Sequence, residues 1–139
     1  MIPEREIEYL SVDDVIDIHD VVLESMGNPY APLRDGGVLA GAVARPQNAA
    51  HYASADLIRQ ACILIVAISE AQSFVEGNKR AGMTSALTFL EQNGCQFVGD
   101  SELLAVLLIE ASGIAYEQAI DDIDGWMRPF VEALSTGAI

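Results

Sequence analysis

Ala71-Gln72-Ser73-Phe74-Val75-Glu76-Gly77-Asn78-Lys79-Arg80-Ala81 is the stretch on which the rest of the chain turns. Immediately upstream stands an unbroken apolar run, Ala61-Cys62-Ile63-Leu64-Ile65-Val66-Ala67-Ile68. Downstream, Ala86, Leu87 and Leu90 recur at helical spacing until Asn93-Gly94, a pair suited to ending a helix. Two helices therefore meet at a short polar loop, and Gly77-Asn78 supplies the freedom that such a turn needs. The first helix is expected over residues 54–71. Its apolar residues cover every face between 61 and 68, as in an element surrounded by others. The N–H groups of Gly77, Asn78 and Lys79 open the second helix. A helix start leaves such donors free, and they favour an anion such as a phosphate.

Charge sharpens that expectation. The chain of 139 residues carries a formal charge of −14, which opposes nonspecific binding to DNA or RNA. It has seven cationic side chains, and its sole lysine, Lys79, stands beside Arg80 in the only adjacent basic pair. Positive charge at a helix start is unfavourable, so this pair is better explained by an anionic ligand than by solvation. A hydrophobic fraction of 51% and this length fit one domain over 1–139 with a real core. No apolar run has the length of a membrane span, and the N-terminus lacks a leader's basic and apolar regions. Cys62 and Cys95 are too few for a disulfide scaffold. A reduced, cytoplasmic protein is expected.

The remaining chain reads as helices. Ser11, with Asp14 three residues on, starts a helix that places Val12, Val15, Ile16, His19, Val22 and Leu23 on one face. His19 is read as a packed histidine, since no nucleophile or ligand cluster accompanies it. Residues 28–37 are rich in turn formers and form a surface loop. A short helix over 38–44 is expected to stop at Arg45-Pro46. Residues 47–52 are polar, with His51 exposed. Gln96-Phe97-Val98 is a strand candidate that could pair with Glu8-Tyr9-Leu10. Asp100 or Ser101 caps another apolar helix, broken at Ser112-Gly113. The last helix, 116–127, turns Ala119, Ile120, Ile123 and Trp126 inward, with Asp121, Asp122 and Asp124 on a solvated face, and Pro129 ends it. The fold class is all-α: a bundle around a central buried helix, with at most a two-stranded β element.

The loop offers three chemical tools. Glu76 is a carboxylate suited to Mg²⁺ that also touches phosphate oxygens. The amides of Gly77, Asn78 and Lys79, with the Asn78 side chain, can cradle a phosphate. Arg80 can bind phosphate oxygens through its fork of donors and stabilise charge that builds during phosphoryl transfer. Phe74 points inward as a structural anchor.

Phe74, Glu76, Gly77, Asn78, Lys79 and Arg80 fit, in register, the pattern His-x-Phe-x-Asp/Glu-Gly-Asn-Gly/Lys-Arg, so the chain resembles the Fic/Doc superfamily. Lys79, and Met83 where the Fic branch has arginine, bring it closer to the Doc (death-on-curing) toxin branch. Residues 33–39, 42–47 and 86–94 extend the resemblance over most of the chain. It implies a Fic/Doc-like helical bundle that uses ATP and Mg²⁺. Fic proteins typically move AMP to a protein hydroxyl. Doc proteins resemble them but transfer the terminal phosphate of ATP to elongation factor Tu, and a small antitoxin covers their site. No inhibitory Ser/Thr-x-x-x-Glu-Gly/Asn motif occurs in this chain, so restraint would come from such a partner.

One position departs from the pattern. Gln72 stands where the family has its catalytic histidine, and an amide cannot accept the proton of an attacking hydroxyl near neutral pH. Ser73 likewise replaces a proline common in Doc sequences. The resemblance thus implies a Doc-like phosphotransferase made weak or inactive by Gln72. The alternatives are a non-catalytic binding module, an AMP transferase, or a repurposed transferase whose substrate needs no protein base.

Overall fold

Ser11 starts the first helix as its spacing predicts. Its hydroxyl accepts from the Asp14 N–H at 3.1 Å, and the Asp14 carboxylate accepts from the Ser11 N–H at 2.8 Å. This reciprocal pair satisfies donors that a helix start leaves open. The computed structural model describes residues 6–27 and 32–134. Within them run α1 (Val12–Ser25), α2 (Gly36–Ala53), α3 (Leu57–Ala71), α4 (Asn78–Gln92), β1 (Cys95–Phe97), α5 (Ser101–Ala111), α6 (Tyr116–Met127) and β2 (Val131–Ala133). The architecture is the expected all-α bundle with a minimal β pair. No helix among the described residues is long and apolar enough to cross a membrane.

The centre is α3. Twelve of its fifteen residues are buried, from Leu57 to Ser69, and α2, α4 and α6 pack around it. Fully burying Leu64, Ile65 or Ile68 contributes roughly 2 kcal/mol apiece. α4 approaches most closely at Gly82. A Cβ there would lie 2.8 Å from the Ile65 carbonyl oxygen and 2.7 Å from Ser69 Oγ, so only glycine lets the two backbones meet without a shift. Cys62 is wholly enclosed, and burial pushes its thiol up to about 12.

Four local expectations need correction. First, α2 does not stop at Arg45-Pro46 but continues to Ala53, so the polar residues 47–52 are helical. Proline removes one ladder hydrogen bond and disfavours the preceding α conformation. Here Leu39, Ala42 and Pro46 form a buried edge, and that packing outweighs the local penalty. The helix ends instead at Ser54, in the left-handed region at φ 54°. His51 is exposed, as expected. Second, α3 begins at Leu57 rather than 54, because Ser54 closes the helix before it. Asp56 then caps α3, accepting from the Arg59 N–H at 2.8 Å.

Third, β1 pairs with the chain end, not with residues 8–10. Cys95, Gln96 and Phe97 stand opposite Ala133, Glu132 and Val131 in antiparallel register. A single turn of 3₁₀ helix at Arg128–Phe130, with Pro129 inside it, redirects the chain after α6 into that strand. The segment before α1 is held by a side chain instead. Asn93 Oδ1 accepts from the Glu8 N–H, and Asn93 Nδ2 donates to the Glu8 carbonyl, both at 2.8 Å. Fourth, Asp124 is buried rather than solvated. It accepts from Arg128 Nε at 2.8 Å and from Arg59 Nη1 at 3.3 Å. Arg128 also grips Asp56 with both terminal nitrogens, at 2.7 and 3.0 Å, and Arg59 reaches Asp121 at 2.8 Å. This knot ties the start of α3 to the end of α6. Trp126 is half-buried, packed on Phe97 and Phe130 at ring-centroid distances of 5.9 and 5.3 Å.

Replacing Asp124 by alanine leaves two guanidinium groups without their shared carboxylate. A loss of about 3 kcal/mol in unfolding free energy is expected in urea titration. Acid acts on the same knot. The hydrogen bonds from Arg128 hold the Asp56 carboxyl below its usual range, against the opposing pull of partial burial. A lowered folded-state pKa means that this contribution is complete above about pH 4 and is lost as pH falls through the lowered value. Asp56→Asn should therefore remove stability at neutral pH and flatten the acid limb, which thermal melts across a pH series measure.

Candidate functional site

The site is the loop between α3 and α4, and its shape follows from how few of its backbone groups are left to water. α3 ends at Gln72, the first residue beyond it, which takes the left-handed conformation at φ 55° and exposes its side chain. The next residues are held by pairing with the segment before α2. The Ser73 carbonyl accepts from the N–H groups of Arg34 at 2.6 Å and Asp35 at 3.1 Å, and the Val75 N–H donates to the Pro32 carbonyl at 3.1 Å. Leu33 and Phe74 thus form a single antiparallel bridge. Residues 28–31 of the expected surface loop lie outside the described residues. Its later part, 32–35, is a backbone partner of the motif loop.

Phe74 is the expected inward anchor, 1% exposed. Asn78 supplies both of its missing backbone partners: Oδ1 accepts from the Phe74 N–H at 3.1 Å, and Nδ2 donates to the Phe74 carbonyl at 2.9 Å. The Asn78 side chain is therefore occupied in shaping the loop, and its backbone N–H is what it presents at the helix start. His19 packs on the other face of the anchor, its ring parallel to Phe74 within 8° and 3.6 Å between centroids. Its Nε2 lies 2.7 Å from the Glu76 carbonyl oxygen, which can only accept, so this nitrogen carries a proton and donates. The packed reading of His19 is thus right, but its brace on Glu76 was not legible. Its four-residue spacing from Val15 and Leu23 marked it as buried; nothing in the sequence named its partner.

Gly77 meets two demands at once. Its φ is 83°, and a Cβ would run into Leu23 Cδ2. It precedes α4, whose first intrahelical bond is from the Ala81 N–H to the Gly77 carbonyl at 2.9 Å. Asn78, Lys79 and Arg80 are therefore the opening positions, where no intrahelical acceptor exists. No side chain caps this start and no acidic residue stands in its first turn. Two cations at the positive end of a helix dipole, with no acidic residue in the helix's own first turn, favour an anion there.

Met26, Gln72, Gly77, Asn78, Lys79 and Arg80 line a cleft of about 300 Å³. Arg80 also borders a recess of about 360 Å³ between α1, α4 and α5. Glu76 is exposed next to the cleft without lining it. Among the described residues no three His, Cys, Asp or Glu side chains converge as a metal site. One carboxylate still suits Mg²⁺, which is commonly shared between a single protein carboxylate and the ligand's phosphates. A larger cavity, about 390 Å³, lies elsewhere, against α2, α3 and α6. Volume alone does not choose between them; the loop is where amide donors and cations converge.

Comparison with known proteins finds relatives over most of the chain. The Fic/DOC family model matches residues 9–90. A protein named Toxin Doc, from Mycolicibacterium smegmatis, is 29% identical over 132 residues, which cover 94% of this chain and 98% of that protein. A protein named Protein kinase doc, from Escherichia phage P1, is 31% identical over 105 residues, which cover 75% of this chain and 82% of that one.

Asn78→Ala strands the N–H and carbonyl of a buried residue. A cost of about 2 kcal/mol is expected, from urea unfolding, together with faster hydrogen exchange at Phe74. An unchanged exchange rate there would show that the Asn78 bonds do not hold the loop.

Proposed function

The chain belongs to the Fic/DOC family, and from that premise we propose that it is a Doc-type phosphotransferase whose step from ATP to a protein hydroxyl is slowed or abolished by Gln72. The observation that carries this reading is the start of α4: amides with no intrahelical acceptor or side-chain cap among the described residues, Lys79 and Arg80 open onto a cleft that Gln72 also lines. ATP would supply the transferred phosphate, with Mg²⁺ neutralising part of its charge. The amides of Gly77, Asn78 and Lys79 would bind phosphate oxygens, and Glu76 is the carboxylate that would hold the metal. Arg80 stabilises charge on the phosphoryl group as transfer proceeds.

What the chain lacks is a proton acceptor. Gln72 sits at the position of the family's histidine, and its amide can accept a hydrogen bond from a hydroxyl but cannot take the proton. His19 does not replace it, being enclosed and committed to the Glu76 carbonyl. A positioned general base is worth about a hundred- to ten-thousandfold in rate. A cytoplasmic protein of the translation machinery, elongation factor Tu by family likeness, is the proposed acceptor. The relative named Toxin Doc supports a small antitoxin as partner, which would cover the motif loop near the exposed Arg34. Gln72 itself favours a second reading, a binding module that keeps the phosphate site without turnover.

Gln72→His should raise label transfer from γ-labelled ATP to elongation factor Tu by about two orders of magnitude. Label from α-labelled ATP would instead mark an AMP transferase. If the histidine variant binds ATP yet transfers nothing, the binding-module reading takes over. If the wild type is already fast, the substrate needs no protein base. Calorimetry with ATP and Mg²⁺ checks the site separately: Arg80→Ala should bind at least tenfold more weakly, and equal affinity in both proteins would sink the assignment.

A further inference from the structure

The cavity of about 390 Å³ against α2, α3 and α6 has the size of a small-molecule pocket. Ala49, Ala53, Ile63 and Ile120 give it an apolar wall. A second recess of about 250 Å³ adjoins it, and Arg45 and Tyr116 line both. Neither residue has a role in the motif loop, and the two recesses share no residue with its cleft.

These two side chains have unmet chemistry. Arg45 lies over the Tyr116 ring, 4.4 Å from its centroid. Among the described residues it pairs with no carboxylate, although the chain carries 21 acidic residues. Arg59 and Arg128, by contrast, are each bound to at least two. The Tyr116 hydroxyl is shut off from water and meets no acceptor in hydrogen-bond geometry; its polar neighbour is the Arg45 guanidinium, which can only donate to it. Burial raises its pKa, with Arg45 pulling the other way, so it stays protonated and able to donate. An unpaired hydroxyl in such a place costs about 1–3 kcal/mol. One acceptor oxygen reaching both groups would satisfy a cation and a donor together, and the alanine and isoleucine wall offers apolar contact to the rest of a ligand, with Asn48 and Glu117 also lining the cavity.

We propose that this cleft binds a small amphipathic organic anion, its carboxylate or sulfonate head on Arg45 and the Tyr116 hydroxyl and its apolar body against Ala49, Ala53, Ile63 and Ile120. Arg45 disfavours a cation beside it, Arg59 and Glu117 at the same cavity offset one another as an ion pair at 3.8 Å, and a purely apolar ligand leaves Tyr116 unpaired.

Two fluorescent probes of nearly equal shape test this: 8-anilinonaphthalene-1-sulfonate and its neutral analogue N-phenyl-1-naphthylamine. The sulfonate should bind the full chain, about tenfold more weakly in Arg45→Gln and severalfold more weakly in Tyr116→Phe, while the neutral analogue is indifferent to both. Arg45 is exposed, so its variant should fold, and matching thermal melts establish that. Methyl NMR locates the probe, with shifts expected at Ile63 and Ile120. Shifts confined to the exposed Leu103, Val106 and Ile109 of α5, or to loop residues 72–80, would overturn the proposal. So would sulfonate affinity that Arg45→Gln leaves unchanged.

Discussion

A helix that is apolar all round can exist in water only if something covers every side of it, and α3 sets that demand for the whole chain. Its neighbours are placed by it. α2 and α6 lie against it, and α4 comes close enough that Gly82 must give up its side chain for the Ile65 carbonyl. Because α4 is fixed this tightly, the loop that joins the two helices has little room to vary. The position of the amides at the start of α4 is thus set by packing deep in the core, and the motif loop gains the rigidity of the helices it connects.

Polar contacts finish what packing begins, and they do so at opposite ends of α3. At its start, Asp56 is both a helix cap and a ligand of Arg128, so one carboxylate joins local and long-range order. At its end, the work is divided among His19, Asn78 and the backbone of residues 32–35, each satisfying a peptide group of the loop. Side-chain amides stand in for strands in two places: Asn78 on Phe74 and Asn93 on Glu8. Both let a bundle hold an extended segment without building a sheet.

Much of this was legible in the sequence where one kind of signal dominated. The apolar run 61–68, the Ser11–Asp14 box and the Asn93-Gly94 stop each pointed to one structure, and each formed. The motif loop was legible because glycine, asparagine and the only adjacent basic pair coincide there. Errors arose where local propensity met tertiary burial. Pro46 forecast a break, yet its place on the edge with Leu39 and Ala42 kept α2 helical. Asp124 resembled its acidic neighbours, and only the arrival of Arg59 and Arg128 from distant elements distinguished it. The β partner was misassigned because a three-residue strand carries almost no sequence information about register. The role of His19 lay in a contact 57 residues away, beyond any periodicity.

The burial of Cys62 gives the molecule an internal clock. Thiols are alkylated and oxidised as thiolates, and with its proton held to about pH 12 inside α3 this one is chemically silent at neutral pH. It can react only when water reaches the centre of the bundle. Opening of a surface loop or fraying of a helix end leaves it untouched, since every neighbour of α3 stands in the way. Its labelling rate consequently counts excursions of the whole core rather than local breathing, and separates motions of the motif loop from loss of the fold that carries it.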